Sequence, residues 1–489
     1  MMLKFNGRIV QFGFGAVGKS FYEKVKKEIK FYEKNYFVIT QNKYEFDAFV
    51  KMGGLVQNYI VSEITKDNYE KVFSTYLKEG DLLIDFADTV GTRDIADFCA
   101  RNNIMYINTG ETDWPSHWYS IFEENLLKRK LKEKYKDSLN NRYPIVFHHG
   151  NNPGLVSHFT KLAIEHIVKT QFKKDKKLNK LLKEKKFNEI AYDLGIKLIQ
   201  VNDIDTQKVK NEYKDDTLYS TWCIDSFFFE LLSEATIDIG THERVDYENK
   251  CNLVDYENGF LELRNIAADI KCKAYYPGGY FEGFIVPHEE TITIATNLEV
   301  KEKDKLVYRP TTVFVYKPCN HAERYLLDNK VNTYPDFDKS KPSDIETEEL
   351  SIIRGYNYPS NAEIVYEENI TEGTEYVGVL ILGDKFKPVW IGNRIEPKFL
   401  YKNKKDSYWQ TPTITPVSMS ALAAVSWMIK NKDKGGIYFP DDIDDYHYII
   451  KLAEKYISKT IYKTFEKEEI ETSLGVNLSD IQIKDFIAK

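Results

Sequence analysis

Residues 8–29 read RIVQFGFGAVGKSFYEKVKKEI, and the fold class follows from how that stretch is parsed. RIVQF (8–12) is a short apolar run, Gly13-Phe14-Gly15-Ala16-Val17-Gly18 spells GxGxxG, and Phe21, Val25 and Ile29 then recur at helical spacing. Strand, glycine turn and helix in that order give the motif its meaning. The glycines permit a tight turn and let a pyrophosphate approach the helix N-terminus. Gly13, Gly15, Ala16, Val17 and Gly18 are therefore expected to contact a dinucleotide. The plainer alternative is a turn that only tightens strand-to-helix packing.

The downstream pattern agrees. YFVIT (36–40), DLLIDFA (81–87) and IMYINT (104–109) read as buried strands, and TRDIADFCARNN (92–103) as an amphipathic helix between two of them. Alternating strands and helices imply a Rossmann-type, doubly wound parallel sheet. Ligands of such sheets bind beyond the carboxyl ends of the strands, which makes Asp88, Thr89, Asn108 and Thr109 candidate cofactor neighbours. The second strand ends in Thr40 and Gln41 rather than in the acid that holds the adenosine ribose of NAD. Thr40 still offers a hydroxyl to the ribose. No Arg lies beside it for a 2′-phosphate, although Lys43 is near, so NAD is expected over NADP.

At 489 residues the chain is long enough for two to four domains. With 42% apolar and 14% aromatic residues it has material for a large core, which argues against disorder. Its 68 basic and 75 acidic residues give a net charge of −7, a poor match to a phosphate backbone and a fair one to a cationic ligand. Nucleic acid is not expected as a partner. Five scattered cysteines, with no CxxC pair, suggest neither a disulfide framework nor a zinc site, and no metal is expected. The N-terminus runs straight into a strand, and no apolar stretch approaches the length of a membrane span. The expectation is a soluble cytoplasmic protein.

PIVFHHG (144–150) leads into Asn151-Asn152-Pro153-Gly154 and a helix with Leu155, Phe159, Leu162 and Ile167 on one face. Asn152 reads either as a helix cap or as a side-chain carbonyl that orients a substrate amine. The Lys-rich run 173–186 reads as a solvated helix face. Between Lys214 and Arg244 the sign reverses: there is no Lys or Arg, while Asp215, Asp216, Asp225, Glu230, Glu234, Asp238 and Glu243 supply seven carboxylates. TWCIDSFFFELL (221–232) is otherwise apolar, so Asp225 and Glu230 are expected to be partly buried and to need a cationic partner. A protein Arg or Lys serves that need, and so does a ligand ammonium. Trp222 offers the latter a ring face. His288, before Glu289-Glu290 and a strand-like TITIA (291–295), has the chemistry for proton transfer near neutral pH. Glu243 in GTHE (240–243) carries the same two readings, structural or functional.

Taken in order, GFGAVG (13–18), NNPGLVSHF (151–159), DIDTQ (203–207), TWCIDSFFFE (221–230), IGTHER (239–244), VPHEETITIA (286–295), RPTTVFVYKPCN (309–320) and GGIYFPDDIDDY (435–446) resemble bacterial homospermidine synthases, within the saccharopine-dehydrogenase-like group. The likeness spans nearly the whole chain. It implies a Rossmann domain, a substrate domain with a largely antiparallel sheet, a homodimer, and NAD kept as a prosthetic group. It implies putrescine and other polyamines as substrates. NAD removes a hydride from putrescine to give an imine, a second amine attacks, ammonia leaves, and the retained NADH reduces the new imine. Trp222 resembles the family's tryptophan that holds a substrate ammonium, Glu230 the acid facing the amine, and His288 and Asn152 the polar groups beside the reacting carbon. Asp203 stands where the family often has Glu, one methylene longer, and Thr40 where it has Asp.

The expected division is residues 1–150 for NAD, 151–410 for substrate binding and dimerisation, and a helical segment 411–489 returning to the first domain. Residues 328–376 read as polar loops between strands. VSMSALAAVSWMIKN (417–431), with Thr415 as cap and Pro416 at the first helical position, is expected to join two domains or subunits. The enzymatic rival is a carboxyspermidine- or saccharopine-type dehydrogenase, which needs a cationic clamp such as Arg244, Arg264 or Arg309 for its substrate carboxylate. A non-catalytic NAD-binding or polyamine-sensing protein is the alternative of another class.

Overall fold

The computed structural model describes residues 2–87, 90–110, 112–114, 120–136, 141–209, 214, 217–244, 247–330, 351, 354–365, 369–400 and 410–488. It separates into two compact units, Met1–Leu155 with Leu400–Ile457, and Val156–Ser340 with Ile345–Phe399 and Ser458–Lys489.

The first unit is built on a seven-stranded parallel sheet. Its spatial order is Gly436–Tyr438, Pro144–Val146, Met105–Asn108, Leu82–Asp85, Ile9–Phe12, Tyr36–Thr40, Tyr59–Val61. Ile9–Phe12 is a central strand, paired on one side with Tyr36–Thr40 and on the other with Leu82–Asp85. The chain therefore winds outward in both directions from the glycine turn, which is the switch point where such sheets bind ligands. The strands Ile9–Phe12, Leu82–Asp85 and Met105–Asn108 are buried throughout and mostly apolar, as in a parallel sheet covered on both faces. Helix Ile414–Lys430, expected to join two domains or subunits, lies within this unit. It packs on the first helix, Ala16–Glu28, inside this unit, and Ser418 shares a 2.6 Å hydrogen bond with Ser20. It opens one residue before Thr415, and Thr411 Oγ1, not Thr415, accepts from its first N–H, that of Ile414. Pro416 then falls in the first turn, where its missing N–H costs nothing.

The second unit is dominated by a ten-stranded mixed sheet. Along its main path lie Cys251–Asp255, Phe260–Ile266, Glu234–Asp238, Thr311–Lys317, Ile196–Asp205, Glu375–Gly383, Val389–Ile395 and Thr460–Thr464. Only Thr311–Lys317 and Ile196–Asp205 run parallel; every other pairing in this sheet is antiparallel. Side chains alternate between faces, and the two faces differ in character. Leu198, Ile204, Val313, Val315, Leu380, Leu382 and Trp390 build the core on one side. The register puts Asp203 and Asp205 beside Tyr316 and Glu375 on the other. Residues 458–489, expected with the C-terminal segment of the first domain, lie in this unit, where Thr460–Thr464 forms the edge strand.

TITIA (291–295) is the clearest local departure: Glu289–Asn297 is a helix, with His288 at its N-cap. The period-2 pattern misleads because residues 289–295 are buried on every side. Glu289 and Glu290 in the first turn favour the helix through its dipole.

Candidate functional site

The glycine turn has the stereochemistry of a phosphate cradle. Gly13 has φ +87°, and a Cβ there would meet the Phe86 carbonyl at 2.9 Å. At Gly18 a Cβ would lie 2.6 Å from Gln11 Nε2 and 2.7 Å from the Gly13 carbonyl oxygen, so this glycine lets helix and strand touch. Around Gly15 there is open space within 4 Å. Gly15 is the N-cap of the first helix, no acid occupies the first turn, and Ala16 and Val17 follow directly. A positive helix end beside an open Gly15 suits a diphosphate.

The other expected cofactor neighbours fare unequally. Thr40, buried, closes its strand, and its carbonyl accepts from the Ser62 N–H; Gln41 and Lys43 beyond it are exposed. Asn108 is buried and hydrogen-bonded on both sides of its amide. Its amide donates to the Gly110 carbonyl at 2.6 Å, while its side-chain oxygen accepts from the His148 N–H at 2.9 Å and its carbonyl from the His149 N–H. Thr109 is half-buried. Asp88 and Thr89 lie outside the described residues.

Asn152 is half-buried in a tight loop whose Gly150 N–H donates to the Pro153 carbonyl, and the Asn152–Pro153 peptide is cis. It is not the helix cap. The helix starts at Leu155, whose N–H is taken by the Gly150 carbonyl.

In the second unit, two expected residues are brought together. His288 is buried, stacked on Phe314 with ring centroids 3.9 Å apart and an interplanar angle of 7°. Its Nδ1 lies 2.9 Å from Glu290 Oε2 and its Nε2 3.6 Å from Glu230 Oε1. Burial opposes a charged imidazole, but Glu290 and Glu230 outweigh it, so the pKa is raised well above the ordinary histidine value. The two carboxylates thus favour the imidazolium form of His288. His288, Glu289 and Glu290 also bring ligand-type atoms within 4.8 Å of one another, a grouping that the expectation of a metal-free chain did not foresee. Both ring nitrogens of His288 already face carboxylates.

Trp222 precedes the helix Ile224–Leu232 that carries Glu230. Its indole Nε1–H donates to the Tyr316 hydroxyl at 3.0 Å, and Thr221 Oγ1 donates to Asp205 Oδ2 at 2.7 Å. Phe314 and Tyr316 are two residues apart on one strand and point to one face, about 7 Å apart along it. One short strip of strand therefore underlies both His288 and Trp222. Asp203, buried, is the register partner of Tyr316 on the neighbouring strand. Asp205 is buried too; burial raises its pKa against the pull of hydrogen bonds from Thr221 and Gln207.

Among the described residues, the acids of the run meet different partners. Asp225 is exposed, not partly buried as expected, and takes a hydrogen bond from the Tyr358 hydroxyl. Glu234 pairs with Arg354 at 2.7 Å. Glu243 accepts from Thr311 Oγ1 at 2.8 Å and the Ile483 N–H at 3.0 Å, with His242 Nε2 3.6 Å from its Oε1. Asp238, buried, accepts from Thr291 Oγ1 at 2.7 Å. Asp215 and Asp216 lie outside the described residues. The three arginines named as possible carboxylate clamps are engaged elsewhere. Arg309, 2% exposed, bonds to the carbonyls of Ile239, Tyr256 and Glu257 and to Glu299. Arg244 pairs with Asp480, and exposed Arg264 donates to the Cys251 carbonyl.

Sequence reasoning named the acids that follow His288 but missed Phe314, Tyr316 and Thr221 as neighbours of the site. Only the alternation of TTVFVYK (311–317) hinted that residues 314 and 316 share a face.

Residues 9–139 match the saccharopine dehydrogenase NADP binding domain. Over 453 residues the chain is 23% identical to the homospermidine synthase of Mesorhizobium japonicum, covering 90% of this chain and 86% of that protein. It is 24% identical over 451 residues to the enzyme of that name from Blastochloris viridis, covering 90% and 88%. The crystal structure of homospermidine synthase from Legionella pneumophila in complex with NAD superposes with a TM-score of 0.81 at 23% identity, covering 100% of this chain and 99% of that one. The fold is thereby shared along its whole length.

Proposed function

We propose that the chain is a homospermidine synthase, an NAD-dependent, redox-neutral transferase that moves an aminobutyl group from putrescine or spermidine onto putrescine. The observation that carries the reading is the strip Phe314–Tyr316, which supports His288 with Glu230 on one side and Trp222 on the other, over a sheet face bearing Asp203 and Asp205. Buried acids beside an aromatic ring suit a diamine that carries two positive charges at pH 7. The whole-chain similarity to two homospermidine synthases supports the same conclusion.

The cradle of Gly13, Gly15 and Gly18, with the backbone of Ala16 and Val17, fits the pyrophosphate of NAD, and Thr40 offers a hydroxyl where an acid would otherwise meet the ribose. Bound there, NAD supplies a hydride acceptor and donor.

The residues of this chain handle protons and charge. The reacting amine must be neutral before its carbon releases hydride. With both carboxylates favouring the protonated ring of His288, the Glu230 carboxylate 3.6 Å from its Nε2 is the proton acceptor. When the second amine adds to the imine carbon, the nitrogen that leaves as ammonia needs a proton, and His288 is placed to donate it. Glu290 holds the ring and its charge throughout. Trp222 binds an ammonium through its ring face and shields the imine from water. Asp203 meets a distal ammonium, with a shorter reach than Glu would give. Asn152 orients the amine through its side-chain carbonyl. The carboxyspermidine- and saccharopine-type alternative needs a clamp for a substrate carboxylate, and the internal bonds of Arg309, Arg244 and Arg264 speak against them as that clamp. A homodimer and a cytoplasmic location complete the proposal. Among the described residues no helix is long and apolar enough to cross a membrane.

The test is incubation of purified protein with putrescine and NAD, without reductant. Homospermidine and ammonia in equal amounts, with no build-up of NADH, are expected. Stoichiometric NADH accumulation without a triamine product refutes the transferase reading.

A further inference from the structure

We propose that Tyr316 is a positioning residue for Trp222: its hydroxyl fixes the indole plane, so that the ring face, not its edge, meets a substrate ammonium. This rests on the reading of Trp222 as an ammonium-binding wall, and it assigns the orientation of that wall to a residue on a different strand. Trp222 sits ahead of the Ile224–Leu232 helix, in a segment with no strand pairing of its own, and is half-buried. Two tethers reach in from the sheet. Tyr316 accepts the indole Nε1–H at 3.0 Å, and Asp205 holds the hydroxyl of the adjoining Thr221 at 2.7 Å. Tyr316 and Asp205 belong to neighbouring parallel strands and face the same way.

The chemistry of the acceptor suits the task. Indole N–H is donor only, so the partner must accept, and a phenol hydroxyl accepts while keeping one proton to donate. Tyr316 is 6% exposed. Burial, followed by the fields of Asp203 and Asp205, pushes its pKa well above the ordinary tyrosine value, so the hydroxyl stays protonated and adds no charge beside the ammonium site. Orientation matters because the attraction of an aromatic ring for a cation lies over its negative face; the edge is positive and repels one. A tryptophan turned by a quarter revolution would become a barrier.

The experiment compares wild type, W222F, Y316F and the double variant. Each is checked for thermal melting and NAD binding, then assayed for putrescine KM and kcat and labelled with 5-fluorotryptophan for fluorine NMR, the Trp222 resonance being the one lost in W222F. Y316F is expected to shift that resonance and raise KM roughly three- to tenfold, the scale of one lost hydrogen bond, with kcat within about twofold. The double variant should match W222F, because a positioning residue has no effect once its client is gone. An unmoved resonance, or a KM effect that multiplies with that of W222F, overturns the proposal. A moved resonance with unchanged KM in both single variants supports the positioning contact and instead refutes the ammonium role of Trp222. Should Y316F not fold, T221V removes the second tether and must show the same KM rise absent from W222F/T221V; an unchanged T221V then overturns it.

Discussion

Replacing Glu230 by Gln keeps the shape of the side chain and removes its charge, which isolates the role proposed for that carboxylate. Its Oε1 lies 3.6 Å from His288 Nε2 and its side chain is 24% exposed. At an effective dielectric of about 20, two unit charges at that distance attract by about 5 kcal/mol, a ceiling that partial exposure lowers. Glu290, at 2.9 Å and nearly inaccessible, remains. The variant should therefore keep its fold and its NAD while the pKa of His288 falls, because one of the two carboxylates that oppose the burial penalty is gone. Removing the proton acceptor should lower homospermidine formation by about 10²- to 10⁴-fold, the usual worth of a positioned general base. The alkaline limb of the residual pH–rate profile should move to lower pH. Product mass spectrometry after incubation with putrescine, alongside NAD titration, measures both effects. Turnover within about threefold of wild type, with the pH profile unmoved, refutes both the assignment of Glu230 and the electrostatic coupling to His288.

Trp222→Ala should raise the putrescine KM by about 3- to 30-fold, the span of a cation–π contact, with NAD binding unaltered; an unchanged KM makes the ring a packing group. Gly15→Ala meets open space, so it should leave the melting temperature unchanged while weakening NAD binding; equal affinity removes Gly15 from the cradle. Gly18→Ala drives a methyl against Gln11 and the Gly13 carbonyl and should cost about 1–3 kcal/mol of stability, read by denaturant unfolding. His288, whose folded pKa is raised, stabilises the fold fully below its unfolded value near 6.5 and loses that contribution as pH rises through the folded pKa. The stability difference between wild type and His288→Asn should accordingly shrink as pH rises above neutral, and a difference that is flat or grows shows the histidine is not held charged.

The sequence by itself determined the parallel sheet around the glycine turn of the first unit, because its signals are local. Strand, glycine turn and helix lie within 22 residues, and Gly13 and Gly18 each answer a neighbour, Gly18 a few positions away and Gly13 at the end of the adjoining strand. The acid-rich character of the second unit was also legible, as were Trp222, Glu230 and His288 as the residues to watch. What they face was not. Whether Asp203 and Asp205 share a face with Tyr316 depends on how Ile196–Asp205 and Thr311–Lys317 pair, and a slip of one residue would turn every side chain to the other side. The helix at Glu289–Asn297 shows the same limit: complete burial erased the periodicity that separates helix from strand. Charges were equally undecidable along the chain, since Glu234 met Arg354, Glu243 met a backbone N–H, and Glu230 alone of the three met His288. Tertiary structure decided these partners because they are brought together from segments tens to hundreds of residues apart, where local propensity exerts no preference.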